Sequence, residues 1–210
     1  KCMSVSLILY AEHEFNASTF TGRVITGTLS DIHSAVTGAI GALRGPLHGG
    51  ANEAAMALIE SFKDADDADK GVHDMFARKD LVMGFGHRVY KTTDPRNVII
   101  KEWSRAYANS DEPRLTGTQA SRQNLFAISE RIDSIMWNEK KMFPNADFYH
   151  ATTYHFMGIP TPLFTPIFVM SRITGWAAHI FEQRANNRLI RPNADYVGPS
   201  LTKVVPMAQR

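Results

Sequence analysis

The chain has 210 residues, of which 44% are hydrophobic and 21% are charged, so it can bury one sizeable core with or without a smaller lobe. Its formal net charge of +2 suits small anionic ligands and excludes the strongly basic balance of nucleic-acid-binding proteins. A single cysteine, Cys2, excludes an intrachain disulfide and predicts a reducing compartment.

Helical patterns dominate the chain, whereas strands with strictly alternating apolar residues are missing. The first pattern, Thr21 to Leu43, has helical length but is rich in Gly, Ser, Thr and Ala. Because glycine weakens an isolated helix, we expect this stretch to pack closely against another helix, inside one domain or at a subunit interface. Two amphipathic helices are predicted further on, over Ala51 to Phe62 and over about Gln119 to Lys140.

The acidic run KDADDADK, Lys63 to Lys70, is predicted to be a solvated connection between helices. A calcium-binding loop is the alternative, but the central Gly and terminal Glu of such a loop do not line up. Asp94 followed by Pro95 predicts a helix start, with Asp as the cap and Pro at the first helical position.

A long apolar helix is predicted from about Thr165 to Asn187, after Pro160 and Pro162. Arg172 lies in the middle of this apolar stretch, which indicates a buried helix rather than a membrane span. No signal peptide is recognised. We therefore expect an all-α, cytoplasmic protein without a membrane partner.

The first candidate site is GPLHGGANE, where His48 lies between turn-forming residues just before a predicted helix. An imidazole at a helix N-terminus is disfavoured in its charged form, and a neutral imidazole can donate a hydrogen bond to developing negative charge. The alternative is a histidine that only binds loop backbone.

The second candidate site is GFGHRVYKTTDPR, in which two glycines let the backbone approach a ligand closely. Donors and positive charge then follow, as binding of carboxylates or phosphates requires. These come from His87, Arg88, Lys91 and Arg96. The alternative is a basic surface turn, and the spacing fits neither a P-loop nor a dinucleotide fingerprint.

The third candidate site is NADFYH, where Asp147 opens an apolar helix. Such an Asp is usually a cap, but a general-base role becomes attractive in company with His48 and His87. No metal is predicted, because His13 is not followed by a second His four residues later.

These segments, together with AEHEFNAST, resemble the motifs of the citrate synthase family in order and spacing, over essentially the whole chain. Gly158 to Pro192 resembles the bacterial 2-methylcitrate synthases in particular. The resemblance implies an all-α, citrate-synthase-like two-domain helical fold lacking the N-terminal part of its large domain. Residues 1–48 and 142–210 would belong to the large domain and residues 49–141 would form the small domain.

The resemblance also implies roles for individual residues. Asp147 would remove the α-proton of an acyl-CoA, His48 would hydrogen-bond the thioester oxygen, and His87 would polarise the ketone of oxaloacetate. The carboxylates of oxaloacetate would be bound by His13, Arg96, Arg172 and Arg191. The last of these would reach into the site of the neighbouring subunit.

Supporting residues are implied in the same way. Ser18 would orient His48, with Asn16 beside it. The backbone of Gly84, Phe85 and Gly86 would line the CoA site, and Lys91 is a weaker candidate for binding phosphate.

The implied protein is a homodimeric acyltransferase with shared active sites, no metal and no permanently bound cofactor. It would condense propionyl-CoA, and also acetyl-CoA, with oxaloacetate and water to give 2-methylcitrate or citrate and CoA. Two alternatives stay open: a citrate synthase that prefers acetyl-CoA, and an inactive helical dimerisation fragment of such an enzyme. No nucleic-acid partner is expected.

Overall fold

The computed structural model describes all 210 residues, and its regular structure is entirely helical. The all-α prediction is therefore confirmed. The helices are α1 (Cys2–Tyr10), α2 (Ala17–Gly27), α3 (Ile32–Leu43), α4 (Ala51–Glu60), α5 (Ala65–Arg78), α6 (Pro95–Ala108), α7 (Gln119–Ile135), α8 (Ala146–Phe156) and α9 (Phe164–Ala185). A π-helical turn, Met136–Lys140, extends α7, and short 3-10 turns lie at Thr161–Leu163 and Met207–Gln209.

Side-chain caps fix where most of these helices begin. The Asp94 carboxylate accepts the Arg96 N–H at 3.0 Å, and Pro95 follows at the first helical position, as predicted. The same kind of cap is made by Asn16, Asp31, Asp64, Thr118 and Asn145. The amphipathic helix predicted over 51–62 and the apolar helix predicted over 165–187 are confirmed, with ends that differ by one or two residues. The amphipathic helix predicted over 119–140 corresponds to α7 together with its π-helical extension.

The prediction of one helical stretch from Thr21 to Leu43 is wrong, because the chain turns between α2 and α3. Leu29 adopts a left-handed backbone with φ of 69°, and Asp31 starts a new helix. The two helices pack on each other, and a Cβ added at Gly22 would lie 3.7 Å from the Ala39 Cβ. Close packing within the chain is thus confirmed, while the subunit interface stays a prediction.

The prediction that Lys63 to Lys70 forms a solvated connection is also wrong. Asp64 caps α5, and its carboxylate accepts the N–H groups of Asp66 and Asp67. Acidic residues in a first turn interact favourably with the positive end of the helix dipole, which explains why this run is helical. The structure contains no group of three or more His, Cys, Asp or Glu side chains that could hold a metal ion.

The core lies around α8 and α9. Helix α8 packs mainly against α6 and α4, and α9 packs against α2, α3 and α1. The domain boundaries stay a prediction. None of the helices is long and apolar enough to cross a membrane.

Candidate active site

The loop after α1 brings His13 to the segment that carries His87. The Nε2 atoms of the two rings lie 2.9 Å apart, although the residues are 74 positions apart in the chain. Arg172 fixes the end of α1, because its Nε donates to the Tyr10 carbonyl oxygen at 2.6 Å. Burial, with the nearby charge of Arg96, lowers the pKa of His13 to about 4, so this ring is neutral at pH 7.

His87 is held in one tautomer by its own turn. Its Nδ1 accepts the backbone N–H groups of Val89 and Tyr90 at 3.0 and 3.1 Å. Because Nδ1 is the acceptor, Nε2 of the neutral ring carries the proton and acts as a donor. Burial and the charge of Arg96 lower the pKa of His87, which favours this neutral form.

Asp94 fixes Arg96 beside His87. The buried carboxylate accepts hydrogen bonds from Arg96 Nε at 3.0 Å and Nη2 at 2.7 Å, and its Oδ2 also accepts the Ala146 N–H at 3.0 Å. Burial acts to raise the pKa of Asp94, but the hydrogen bonds and charge of Arg96 outweigh it and lower that pKa. Asp94 therefore joins the start of α6 to the start of α8, a second role that the cap prediction did not include.

His48 contacts Ser18, as the resemblance implied. Its Nε2 accepts the Ser18 N–H at 3.3 Å and lies 2.8 Å from Ser18 Oγ, which also contacts Asn16 Oδ1 at 2.7 Å. The backbone N–H can only donate, so in the tautomer that makes this hydrogen bond Nδ1 of the neutral ring carries the proton. Burial and then the charge of Arg172 lower the pKa of His48 to about 4. These two causes give the predicted neutral imidazole, and the helix dipole is not the main one.

Asp147 lies in the first turn of α8, and Asn145 caps this turn by accepting the Asp147 N–H at 3.0 Å. Its environment raises the pKa of the carboxyl to about 6, because burial outweighs the Tyr10 hydrogen bond and the charges of Arg96 and Arg172. The group is thus a carboxylate at pH 7 and a stronger base than an exposed Asp.

Tyr10 is a site residue that the sequence analysis missed. Its hydroxyl donates to Asp147 Oδ1 at 2.6 Å, and its ring stacks on Phe168 at 3.9 Å between centroids. In the sequence it ends an apolar helix, where an aromatic residue indicates only core. Its partner lies 137 residues away, so no local pattern could have identified the contact.

The remaining predicted residues differ in their surroundings. Arg172 is buried, its Nη1 has no hydrogen-bond partner, and burial lowers its pKa to about 10. Arg191 is exposed beyond the end of α9 and makes no hydrogen bond or ion pair, so the chain does not bring it to the other residues. Lys91 is also exposed, and its Nζ only reaches the Arg88 carbonyl oxygen at 3.5 Å.

The predicted glycine turn is tied to the start of α8. Gly84 and Gly86 have φ of 87° and 78°, a left-handed conformation that favours glycine. The Gly86 N–H donates to the Phe143 carbonyl at 3.0 Å, and the Gly84 carbonyl accepts the Asn145 N–H at 2.9 Å. These hydrogen bonds hold the turn, which is followed directly by His87, against the start of α8, where Asp147 lies.

The arrangement combines four chemical capacities. It holds a carboxylate base, two neutral imidazoles with defined N–H donors, two arginines and a third neutral histidine. Proton removal next to a carbonyl group requires a base and an oxyanion donor, and a dicarboxylate ligand requires several cations. The residues with these capacities are Asp147, His48, His87, Arg96, Arg172 and His13.

The family described as citrate synthase, C-terminal domain, matches residues 1–193. The chain is 60% identical over 210 residues to the 2-methylcitrate synthase of Shewanella oneidensis, covering 100% of this chain and 54% of that protein. It is 51% identical over 205 residues to citrate synthase 2 of Bacillus subtilis, covering 98% of this chain and 53% of that protein. The chain thus spans about half the length of these curated relatives.

A solved structure supports the same relationship. The citrate synthase of Thermoplasma acidophilum, in a ternary complex with carboxymethyl coenzyme A and oxaloacetate, superposes with a TM-score of 0.89. It is 40% identical in sequence and covers 100% of this chain and 55% of that one. The citrate-synthase-like fold is therefore confirmed for this half of the family architecture.

Proposed function

Because the chain belongs to the citrate synthase family, we propose that its protein condenses an acyl-CoA with oxaloacetate and water to give a citrate-type acid and CoA. The observation that carries this proposal is the grouping of one carboxylate base with two neutral imidazole donors. Asp147, His48 and His87 come from three separate segments, and each has the protonation state that the reaction requires at pH 7.

The first step is enolisation of the acyl-CoA. The Asp147 carboxylate removes the α-proton, while the Nδ1–H of His48 donates to the thioester oxygen as negative charge develops there. A neutral donor suits this task because its hydrogen bond strengthens as the oxygen gains charge. The raised pKa of Asp147 reduces the difference in proton affinity between the base and the carbon acid.

The second step forms the carbon–carbon bond. The Nε2–H of His87, which contacts His13 in this structure, donates to the ketone oxygen of oxaloacetate, and the enol carbon attacks the ketone carbon. Arg96 and Arg172 bind the two carboxylates, and His87 supplies the proton that the new alkoxide oxygen needs. Water then attacks the thioester, which releases CoA and leaves the acid.

The CoA-binding and subunit assignments remain part of the proposal. The backbone N–H and C=O of Phe85 make no backbone hydrogen bond, which supports a role in binding CoA between Gly84 and Gly86. Lys91 is exposed and can reach a phosphate. Arg191 would complete the site of the second subunit in a homodimer, and no metal or permanently bound cofactor takes part.

We further propose that propionyl-CoA is preferred over acetyl-CoA, so that the product is 2-methylcitrate. The resemblance of residues 158–192 to 2-methylcitrate synthases supports this, as does the higher identity to the Shewanella enzyme than to Bacillus citrate synthase 2. The two substrates differ by one methylene, which a pocket discriminates by about 1–3 kcal/mol.

Parallel thiol-release assays on the full-length protein test both proposals. With oxaloacetate present, both thioesters should release CoA, with a higher kcat/KM for propionyl-CoA, and the product mass should match 2-methylcitrate. A higher kcat/KM for acetyl-CoA would identify a citrate synthase instead. Absence of thiol release with either thioester would contradict the condensation.

A further inference from the structure

A chain of hydrogen bonds runs through three helices to Asp147. Asn52 on α4 donates from Nδ2 to the Tyr10 hydroxyl oxygen at 3.0 Å, and the Tyr10 hydroxyl donates to Asp147 Oδ1 at 2.6 Å. The phenol has a single proton and uses it to donate the hydrogen bond to the carboxylate. The series of hydrogen bonds therefore runs in one direction, from Asn52 through Tyr10 to Asp147.

The Tyr10 ring cannot swing away from this contact. It lies between His150 and Phe168, with centroid distances of 4.1 and 3.9 Å and interplanar angles of 26° and 22°. The His150 ring is itself fixed, because Nδ1 donates to the Ala146 carbonyl oxygen at 2.6 Å. Three stacked rings therefore hold one hydroxyl group against the carboxylate.

We propose that Tyr10 is a positioning residue for Asp147: it holds Oδ1 in place and leaves Oδ2 to face the α-carbon of the acyl group. Oδ2 makes no hydrogen bond in the chain, whereas Oδ1 is bound by the hydroxyl. A carboxylate fixed at one oxygen keeps the other in a constant orientation for proton removal. This inference rests on the proposed function of the site.

The hydrogen bond also affects the protonation of the base. Burial raises the pKa of Asp147 to about 6, and the Tyr10 hydroxyl opposes this shift. The other charged groups that act on Asp147 are Arg96 and Arg172, which lower its pKa, and Asp94, which raises it. Burial and the nearby Asp147 charge raise the pKa of Tyr10 itself, so the phenol stays protonated and remains a donor.

The first test is Tyr10→Phe in the full-length protein, which keeps the ring stack and removes only the hydroxyl. Loss of one hydrogen bond to a charged group should move the acid limb of the kcat/KM profile, which reports the free enzyme, up by about one to two pH units. With the wild-type pKa near 6, kcat/KM at pH 6 should then fall about 5–50-fold, and the deficit should narrow above about pH 8. A rate change that is the same at every pH would overturn the proposal, as would an unchanged profile.

Tyr154→Phe is the matched control. Tyr154 is equally buried and its hydroxyl contacts Ser6, not Asp147, so its acid limb should stay at the wild-type position. If Tyr10→Phe does not fold, 3,5-difluorotyrosine at position 10 gives the opposite test, because a more acidic phenol is a stronger donor. The acid limb should then move to lower pH, and movement to higher pH would overturn the proposal.

A carbon-13 NMR titration of the aspartate side chains separates this proposal from the proposed function. The signal of Asp147 is identified by its loss in Asp147→Asn, and its pKa is read without any assay of activity. A raised pKa in Tyr10→Phe with no condensation by the wild type would support the contact and refute the function. Condensation by the wild type, together with an unchanged Asp147 pKa in Tyr10→Phe, would support the function and refute the role of Tyr10.

Discussion

At the scale of single residues, burial shifts the pKa values of two candidate catalytic groups in opposite directions. Burial raises the pKa of the Asp147 carboxyl to about 6 and lowers that of His48 to about 4, because it disfavours whichever form is charged. At pH 7, which lies above both values, the carboxyl is mainly ionised and the imidazole is neutral. The same burial thus prepares both a base and a neutral hydrogen-bond donor.

Replacement of Asp147 by Ala removes the base and should lower kcat by about 10²–10⁴-fold. The Michaelis constant for oxaloacetate should change little, because His13, Arg96 and Arg172 remain. Thiol release and oxaloacetate titration of the full-length protein measure the two effects. Asp74→Ala is the control, since Asp74 is exposed on α5 without an ion pair. Near-normal turnover by Asp147→Ala would exclude this residue as the base.

The sequence was sufficient to propose candidate residues for the chemistry and Ser18 as a support for His48, but not the contacts that hold Asp147. His48, His87 and Asp147 each stand in a local motif of turn-forming residues or at a helix start. Tyr10 and the second role of Asp94 have no such signal, because their partners come from distant segments and depend on how the helices pack. Hydrogen bonds of this kind require the tertiary structure.

At the scale of elements, α9 supports the loop that carries His13. A Cβ at Gly175 would lie 2.4 Å from the Ala11 carbonyl oxygen and 3.2 Å from the Glu12 Cα, so only glycine permits this approach. His179, one turn further along α9, contacts Glu12 Oε1 through Nε2 at 2.9 Å. The loop is therefore packed directly on the helix that also provides Arg172.

Replacement of Gly175 by Ala should separate α9 from this loop and destabilise the protein by about 1–3 kcal/mol, as overpacking does. The Michaelis constant for oxaloacetate should rise, because His13 and Arg172 are displaced relative to each other. Denaturant unfolding and steady-state kinetics measure these effects. Gly22→Ala is the matched control, since a Cβ there meets only ordinary contacts at 3.7 Å. Equal stability of the two variants would contradict the argument.

Helix positions were largely predictable from periodicity, whereas two boundaries were not recognised. Asp31 is a cap signal that divides residues 21–43 into two helices. Asp64 is a cap signal that starts α5 within the acidic run. The left-handed turn at Leu29 has no such signal, because non-glycine residues rarely adopt positive φ.

At the scale of the whole molecule, the segment after α9 contacts the end of α2 at its start, where Asn187 Nδ2 donates to the Gly27 carbonyl oxygen at 3.2 Å. From Asn186 onward the segment forms no α-helix, and Arg191 is exposed. Because Arg191 does not reach His87 or Arg172 in its own chain, the proposed role in oxaloacetate binding requires a second subunit. In a two-fold dimer, the two segments that carry Arg191 would be related by symmetry, so that each could reach the site of the other subunit.

Mixing of inactive subunits tests the shared site. Arg191→Ala and Asp147→Ala should each be inactive as homodimers, but a heterodimer would contain one intact composite site. Denaturation and refolding of an equal mixture should therefore restore about a quarter of the wild-type activity, given random pairing of subunits. Native mass spectrometry must show the heterodimer. Heterodimers without recovered activity would assign Arg191 to the site of its own subunit.

The contacts of Tyr10 have a consequence for the order in which the chain folds. Its hydroxyl meets Asp147 across 137 residues, and its carbonyl meets Arg172 across 162. Such contacts close long loops, and closing a long loop costs more conformational entropy than closing a short one. We therefore expect these contacts to form after those between adjacent helices such as α2 and α3. During synthesis from the N-terminus, helices can form as they emerge, but the geometry of the candidate site cannot exist until α9 has been made. Folding of this site therefore follows the local pairing of α2 with α3.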